Sequence, residues 1–347
     1  SFMGKDEYLK WVKVGIGVAI LSSSPILARE NSDTSKMPVS NYSSNFVLAS
    51  NTQTKEVHSV ADVSIVKEST VKASVRKAVA MAGGLSFIKP GDTVLVKPNV
   101  NSDDPYPGTT NPEVLKEIVT MCFESGAKRV IVADRSGVLW QNTMYNMEKV
   151  GIAQSARSAG AEVLALDNQE WILVKPEGSK YWVNGFRIPK IATQVDHIIN
   201  VAVVKTHSIT DFSMSLKNFV GFIHMSDRMF MHSSGNIKEM IAELNLAFNP
   251  KLNILDATKV FVRGGPDKGE VRDPGVIIAS RDRIAVDIIG LALLRSLGTT
   301  PAIQDRDIWS HPQIKTAVEL GIGIKDYSHI NLVGSNIDLD KIKRLAR

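Results

Sequence analysis

The stretch "VAVVKTHSITDFSMSLKNFVGFIH", Val201–His224, sets four cationic or titratable side chains, Lys205, His207, Lys217 and His224, beside the apolar run Val201–Val204. Taking a charge out of water is costly unless a partner or ligand meets it. The cluster therefore marks either a binding site or a helix with a solvated face. Lysine offers an anion a compact point charge, and histidine can donate, ligate or move a proton near neutral pH. Together with the amide of Asn218, the residues Lys205, His207 and Lys217 read as one wall of a pocket for a small carboxylate or phosphate. His207 is then the candidate general acid/base.

Other polar breaks follow buried-looking runs. "VLVKPNV" places Lys97 and Asn99 at one, "IVADRSG" places Asp134 at a second, and "LNILDAT" places Asp256 at a third. The pattern assigns His207, Asp134 and Lys205 to catalysis, and Lys97, Asn99, Lys217 and Asn218 to ligand binding, with Asp134 or Asp256 orienting the histidine. The same residue types also admit a divalent metal on His207, His224, His232 and Asp256. The spacing from His224 to His232 does not fit the i, i+4 pair that one helix presents to a metal. "GGPDKG", Gly264–Gly269, is a weak phosphate-cradle signal. No Gly-Lys-Ser/Thr P-loop, strand-linked GxGxxG or GxSxG elbow occurs.

Each of these side chains needs an element to aim it. "VADVSIVKE", "GDTVLVKPNV", "KRVIVADRSG", "AEVLALD", "VDHIINVAVVKTH", "KLNILDAT" and "GVIIAS" read as strands. Between them lie segments of helical spacing, such as "NPEVLKEIVTMCFESGA" with its Asn cap, first-turn Pro and glycine stop. The alternation predicts an α/β fold, a mostly parallel sheet covered by helices on both faces. Ligands in such sheets sit beyond the carboxyl ends of the strands. A helix is expected around Met214–Phe222. Residues 171–192 predict a small β-hairpin insertion with Asn184-Gly185 as its turn.

The 347 residues carry a formal net charge of +5, which suits anionic partners without choosing among them. No Lys/Arg-rich run or basic stripe interleaved with aromatics supports a nucleic-acid partner. The single cysteine, Cys122, excludes an internal disulfide and a cysteine-ligated iron–sulfur cluster built from this chain alone. Residues 1–29 set Lys5, Lys10 and Lys13 before an interrupted apolar stretch, short of the roughly 20 residues a span requires. They read as signal-peptide-like, in the twin-arginine style without the arginine pair, or as a retained N-terminal anchor. Residues 30–55 read as a linker or arm, and residues 56–347 as the α/β domain. Export to an extracytoplasmic compartment is expected, with membrane association through the N-terminus in the anchor reading.

The order of "VLVKPNV", "TNPEVLKEIV", "GAKRVIVADRSG", "VVKTHSITDFSMSLKNFVGFI", "LNILDAT", "GGPDKG" and "IIASRDRIAVDIIG" resembles the DUF362 family of bacterial and archaeal proteins. The resemblance implies an α/β domain and points to Lys97, Asn99, Asp134, Lys205, His207, Lys217 and Asn218. Many members look like iron–sulfur proteins through added ferredoxin-type cysteine motifs, from which this chain departs. Two functions follow. One is an enzyme acting on a small anionic substrate. The other is a non-catalytic binding or assembly protein that docks to a membrane or redox complex.

Overall fold

A computed structural model describes residues 60–137 and 141–347, so the segments 1–29 and 30–55 lie outside the described residues. In chain order the strands are β1 (Ala61–Val66), β2 (Thr93–Lys97), β3 (Arg129–Asp134), β4 (Glu162–Ala165), β5 (Trp171–Val174) and β6 (Phe186–Pro189). They continue as β7 (His197–His207), β8 (Asp211–Ser213), β9 (Leu252–Gly264), β10 (Gly269–Arg272), β11 (Val276–Ser280) and β12 (Ile330–Ser335). The main sheet runs β12-β1-β11-β9-β7-β2-β3-β4. Along this path β11 runs antiparallel to both β1 and β9, and every other neighbouring pair is parallel. This is the α/β architecture that the alternating periods predict.

Strand residues project alternately to opposite faces, and here both faces are apolar. On β2, Val94 and Val96 pack with Val79 and Leu115 of the helices Val71–Met81 and Pro112–Glu124. Leu95, between them, joins the opposite core with Ile288 and Leu291 of the helix Arg283–Leu297. Val130 and Val132 of β3 face the first layer, whereas Ile131 and Ala133 face the second. Continuous apolar runs are thus buried twice over, which is why they form parallel strands rather than half-wet antiparallel ones.

Two strands outrun the sheet. β8 folds back on β7, pairing His207 with Asp211 and Lys205 with Ser213. β10 folds back on β9, pairing Gly264 with Gly269. β7 ends at His207, as its polar tail implies, with β8 turning back into the same sheet, whereas β9 runs past Asp256, read as a strand end, to Gly264. The expected helix over Met214–Phe222 divides into one α-turn, Ser215–Asn218, and a 3-10 turn, Phe219–Phe222. Its start is held by the buried Asp287 carboxylate, which accepts from the N–H groups of Ser215 (2.8 Å) and Leu216 (3.0 Å).

The insertion is present as antiparallel β5 and β6, with Val174 opposite Phe186. Asn184-Gly185 is not its two-residue turn, because residues 175–185 form a long connection between the strands. That loop is anchored from outside. The Glu243 carboxylate accepts from the N–H groups of Lys180 (2.6 Å), Tyr181 (3.0 Å) and Trp182 (3.2 Å). The Trp182 indole N–H donates to the Met240 carbonyl at 3.0 Å.

Candidate functional site

Polar residues on the second face of the sheet stand in one transverse row. Lys97 of β2 lies opposite Asn200 of β7, which lies opposite Asn253 of β9, which lies opposite Ser280 of β11. The Asn200 amide donates to Asn253 at 3.2 Å and to the Ser215 carbonyl at 3.0 Å, while its oxygen accepts from Asn218 at 2.8 Å. This satisfied row carries the backbone turn Ser215–Asn218 across the sheet and aims Asn218 at β2.

Lys97 is wholly buried, and its amine donates to Asp134 Oδ1 at 2.7 Å and to the Pro98 carbonyl at 2.8 Å. Asp134 also accepts from the N–H groups of Val100 (2.7 Å) and Arg135 (2.8 Å). These three bonds commit its carboxylate to holding Lys97 and the turns that follow β2 and β3. Burial pulls the Lys97 amine below the ordinary lysine range, and the Asp134 charge opposes that pull. Gly221 passes directly over this pair. A Cβ at that position would collide with Asp134 Oδ1 and reach within 2.9 Å of Lys97 Nζ.

Lys205 donates to Asn99 Oδ1 at 2.8 Å and to the Gly108 carbonyl at 2.6 Å. Asn99 in turn donates to Asn218 Oδ1 at 3.2 Å, which closes a chain from Lys205 to Lys97. Burial lowers the Lys205 amine to about 8, against the attraction of Asp267 and Asp134. Lys217 is half-buried and differs in kind, because no residue among those described hydrogen-bonds or ion-pairs with its amine. Burial and the neighbouring charges of Arg228 and Lys205 lower it to about 7.

These residues line one cleft with Arg135 and Arg228. The cleft measures about 330 Å³ with open solvent included, of which about 20 Å³ is accessible to a water centre, room for a water-sized group before any side chain moves. Arg228 donates to the Ser136 carbonyl at 3.0 Å, yet its buried Nε has no partner among the described residues. The same is true of the buried Nη1 of Arg135. Burial lowers the Arg228 guanidinium to about 10. Asp267, from the "GGPDKG" loop, meets Asn101 at 2.6 Å on the rim. Five basic side chains thus meet three carboxylates: Asp134, committed to Lys97 and two backbone N–H groups, Asp267 at the rim, and Asp167, 4.0 Å from Arg135.

The other marked residues lie apart from that lining. His207 sits at the β7–β8 turn, where its Nδ1 accepts from the N–H groups of Ile209 (3.1 Å) and Thr210 (3.3 Å). These bonds fix the neutral tautomer with hydrogen on Nε2. Burial, then the charges of Lys217 and Lys205, hold the imidazole well below its usual range, so it is uncharged at neutral pH. Among the described residues, no three or more His, Cys, Asp or Glu side chains gather in a metal-holding group. His224 caps the helix Met225–Ser233, and the His232 Nδ1 contacts the Arg228 carbonyl at 2.7 Å. Asp256 accepts from Asn111 N–H (2.7 Å) and from the Thr258 hydroxyl (2.7 Å), so its carboxylate serves the loop before helix Pro112–Glu124.

Arg228, Asn101, Asn200 and Asn253 are absent from the sequence-marked set, and Arg135 entered it only as part of the strand end in "IVADRSG". Asn200 and Asn253 left a signal, a single amide within the apolar runs Ile198–Val204 and Leu252–Leu255. Arg228 left none, because "MSDRMFMHS" has the polarity of an ordinary surface helix.

Among proteins of known sequence, "Thylakoid-associated protein sll1697" of Synechocystis sp. is 28% identical over 231 residues, covering 62% of this chain and 68% of that protein. Among solved structures, the lactate racemase apoprotein from Thermoanaerobacterium thermosaccharolyticum superposes with a TM-score of 0.40 at 16% identity, over 60% of this chain. The chain spans about half of that structure, 52%. At that level of likeness nothing of its chemistry transfers. The model of a family described as "Domain of unknown function (DUF362)" matches residues 94–292. The match contains Lys97, Asp134, Lys205, Lys217 and Arg228, and the chain belongs to the DUF362 family.

Proposed function

We propose that the cleft binds a small carboxylate- or phosphate-bearing molecule. The observation that carries this reading is the excess of basic side chains over carboxylates at the cleft. Lys97, Lys205, Lys217, Arg135 and Arg228 converge, while Asp134 is committed to Lys97, Asp167 to Arg135, and Asp267 stands at the rim. Uncompensated charge inside a protein is costly, and a bound anion relieves it. Lys217, Arg228 Nε and Arg135 Nη1 supply donors that no described residue takes up. His207, apart from the lining and fixed with hydrogen on Nε2, is assigned to the β7–β8 turn rather than to acid/base work.

Calorimetric titration with inorganic phosphate and with propionate tests the reading. Binding to the wild-type chain should weaken at least ten-fold in Lys217→Ala and in Lys205→Ala. Equal affinity in all three proteins overturns it.

A second reading concerns location. The helices among the described residues include none long and apolar enough to cross a membrane. Tyr181 and Val183 of the inserted loop and Met229 and Phe230 of helix Met225–Ser233 are nevertheless exposed, with buried Trp182 against Phe230 at a ring distance of 6.0 Å. The relative named as thylakoid-associated favours a membrane setting. We infer that this apolar edge, flanked by exposed Lys175 and Lys180, rests on an anionic lipid surface. Vesicle flotation tests it.

A further inference from the structure

We propose that the Lys217 amine condenses with the carbonyl group of a small oxo acid to form an imine, with the acid's carboxylate held by Lys205 and Arg228. The inference rests on the anion-binding reading of the same cleft and adds a covalent step to it.

Three lysines reach the cleft, and their surroundings separate them. Lys97 is closed in by Asp134 and the Pro98 carbonyl, and Lys205 by Asn99 and the Gly108 carbonyl. Lone-pair attack from either amine would require breaking these charge-assisted bonds. Lys217 has no such partner among the described residues and is half-buried at the cleft wall. Its neighbours are cations, which disfavour a second positive charge on the amine and so expose its lone pair near neutral pH. The same cations attract a carboxylate and hold an attached carbonyl carbon close by. Asn99 and Asn101 each keep one amide hydrogen that no described residue takes up, a donor for the carbonyl oxygen as negative charge develops on it.

The balance is simple. The neutral amine of Lys217 adds to the carbonyl carbon, and the C=O π pair moves to oxygen. The carbinolamine then loses that oxygen as water, which carries off both amine hydrogens as the C=N bond forms. No oxidant, reductant or metal is needed.

The test is reductive trapping with cyanoborohydride in the presence of glyoxylate, pyruvate or 2-oxoglutarate, read by intact mass and peptide mapping. One saturable adduct on Lys217 is expected from at least one acid, at concentrations that leave surface lysines unmodified. The adduct should vanish in Lys217→Arg, which keeps the charge but presents no neutral amine. Propionate, which has the carboxylate without the carbonyl, is titrated in parallel. If propionate binds and no oxo acid is trapped on Lys217, the imine falls and the anion site stands. If neither binds nor traps, both fall. Unsaturable labelling spread over many lysines also overturns the imine.

Discussion

Lys97 and Asp134 meet at the floor of the cleft with both side chains out of solvent, 1% and 2% exposed. Breaking a buried pair by removing one partner costs about 3–5 kcal/mol, because the remaining charge stays desolvated. Lys97→Met should therefore lower unfolding free energy by that amount in urea titration. Lys97→Met/Asp134→Asn should restore more than half, since the amide still accepts from Val100 and carries no charge. A single variant as stable as wild type would show that the pair is not desolvated in solution. Lys97, Asp134 and Lys205 were legible in the sequence because each interrupts an apolar run. Arg228 was not, because its burial comes from where its helix docks rather than from its neighbours in the chain.

The parallel strands announced themselves through continuous Val/Ile/Leu runs, and their helices through caps and glycine stops. The errors fell where tertiary contacts override local pattern. Asn184-Gly185 has the residues of a tight hairpin turn, but Glu243, sixty residues away in sequence, gathers the N–H groups of Lys180, Tyr181 and Trp182 and fixes a longer loop. β8 and β10 went unread because a strand of three or four residues has too little periodicity to detect. The loop and helix Met225–Ser233 together present the exposed apolar edge. Wild-type protein should float with vesicles containing anionic phosphatidylglycerol, and Val183→Ser/Phe230→Ser should reduce the floated fraction several-fold. Identical flotation of both, or none by wild type, would remove the membrane reading.

For the whole molecule, the site's lysines couple stability to pH. Lys205 and Lys217 sit at about 8 and about 7 when folded, below the value of about 10.4 expected in the unfolded chain. The unfolded state then binds more protons at intermediate pH, so their contribution to stability is fully present above the unfolded value and is lost as pH falls through the folded values. Two groups with raised values bound the useful window. Buried Asp287, at about 7, and Cys122, at about 12, each contribute stability that is lost as pH rises through the folded value. Asp287's loss is complete near pH 7, and that of Cys122 begins only near its unfolded value of about 8.5. Unfolding free energy should therefore rise between about pH 7 and 8.5, and less steeply in Lys205→Met. Phosphate affinity should fall over the same range, approaching ten-fold per unit for each lysine that must take up a proton. A flat profile for both measurements would place these amines in ordinary solvent. The transverse row through Lys97, Asn200 and Asn253 has a further consequence, for assembly of the sheet itself. Because side chains alternate, a one-residue slip of β7 against β9 would turn Asn200 away from Asn253 and into packed hydrocarbon. The slipped pairing is penalised by the same amides that brace the cleft, so the chain that pairs its central strands correctly has, in that act, already built the floor of its site.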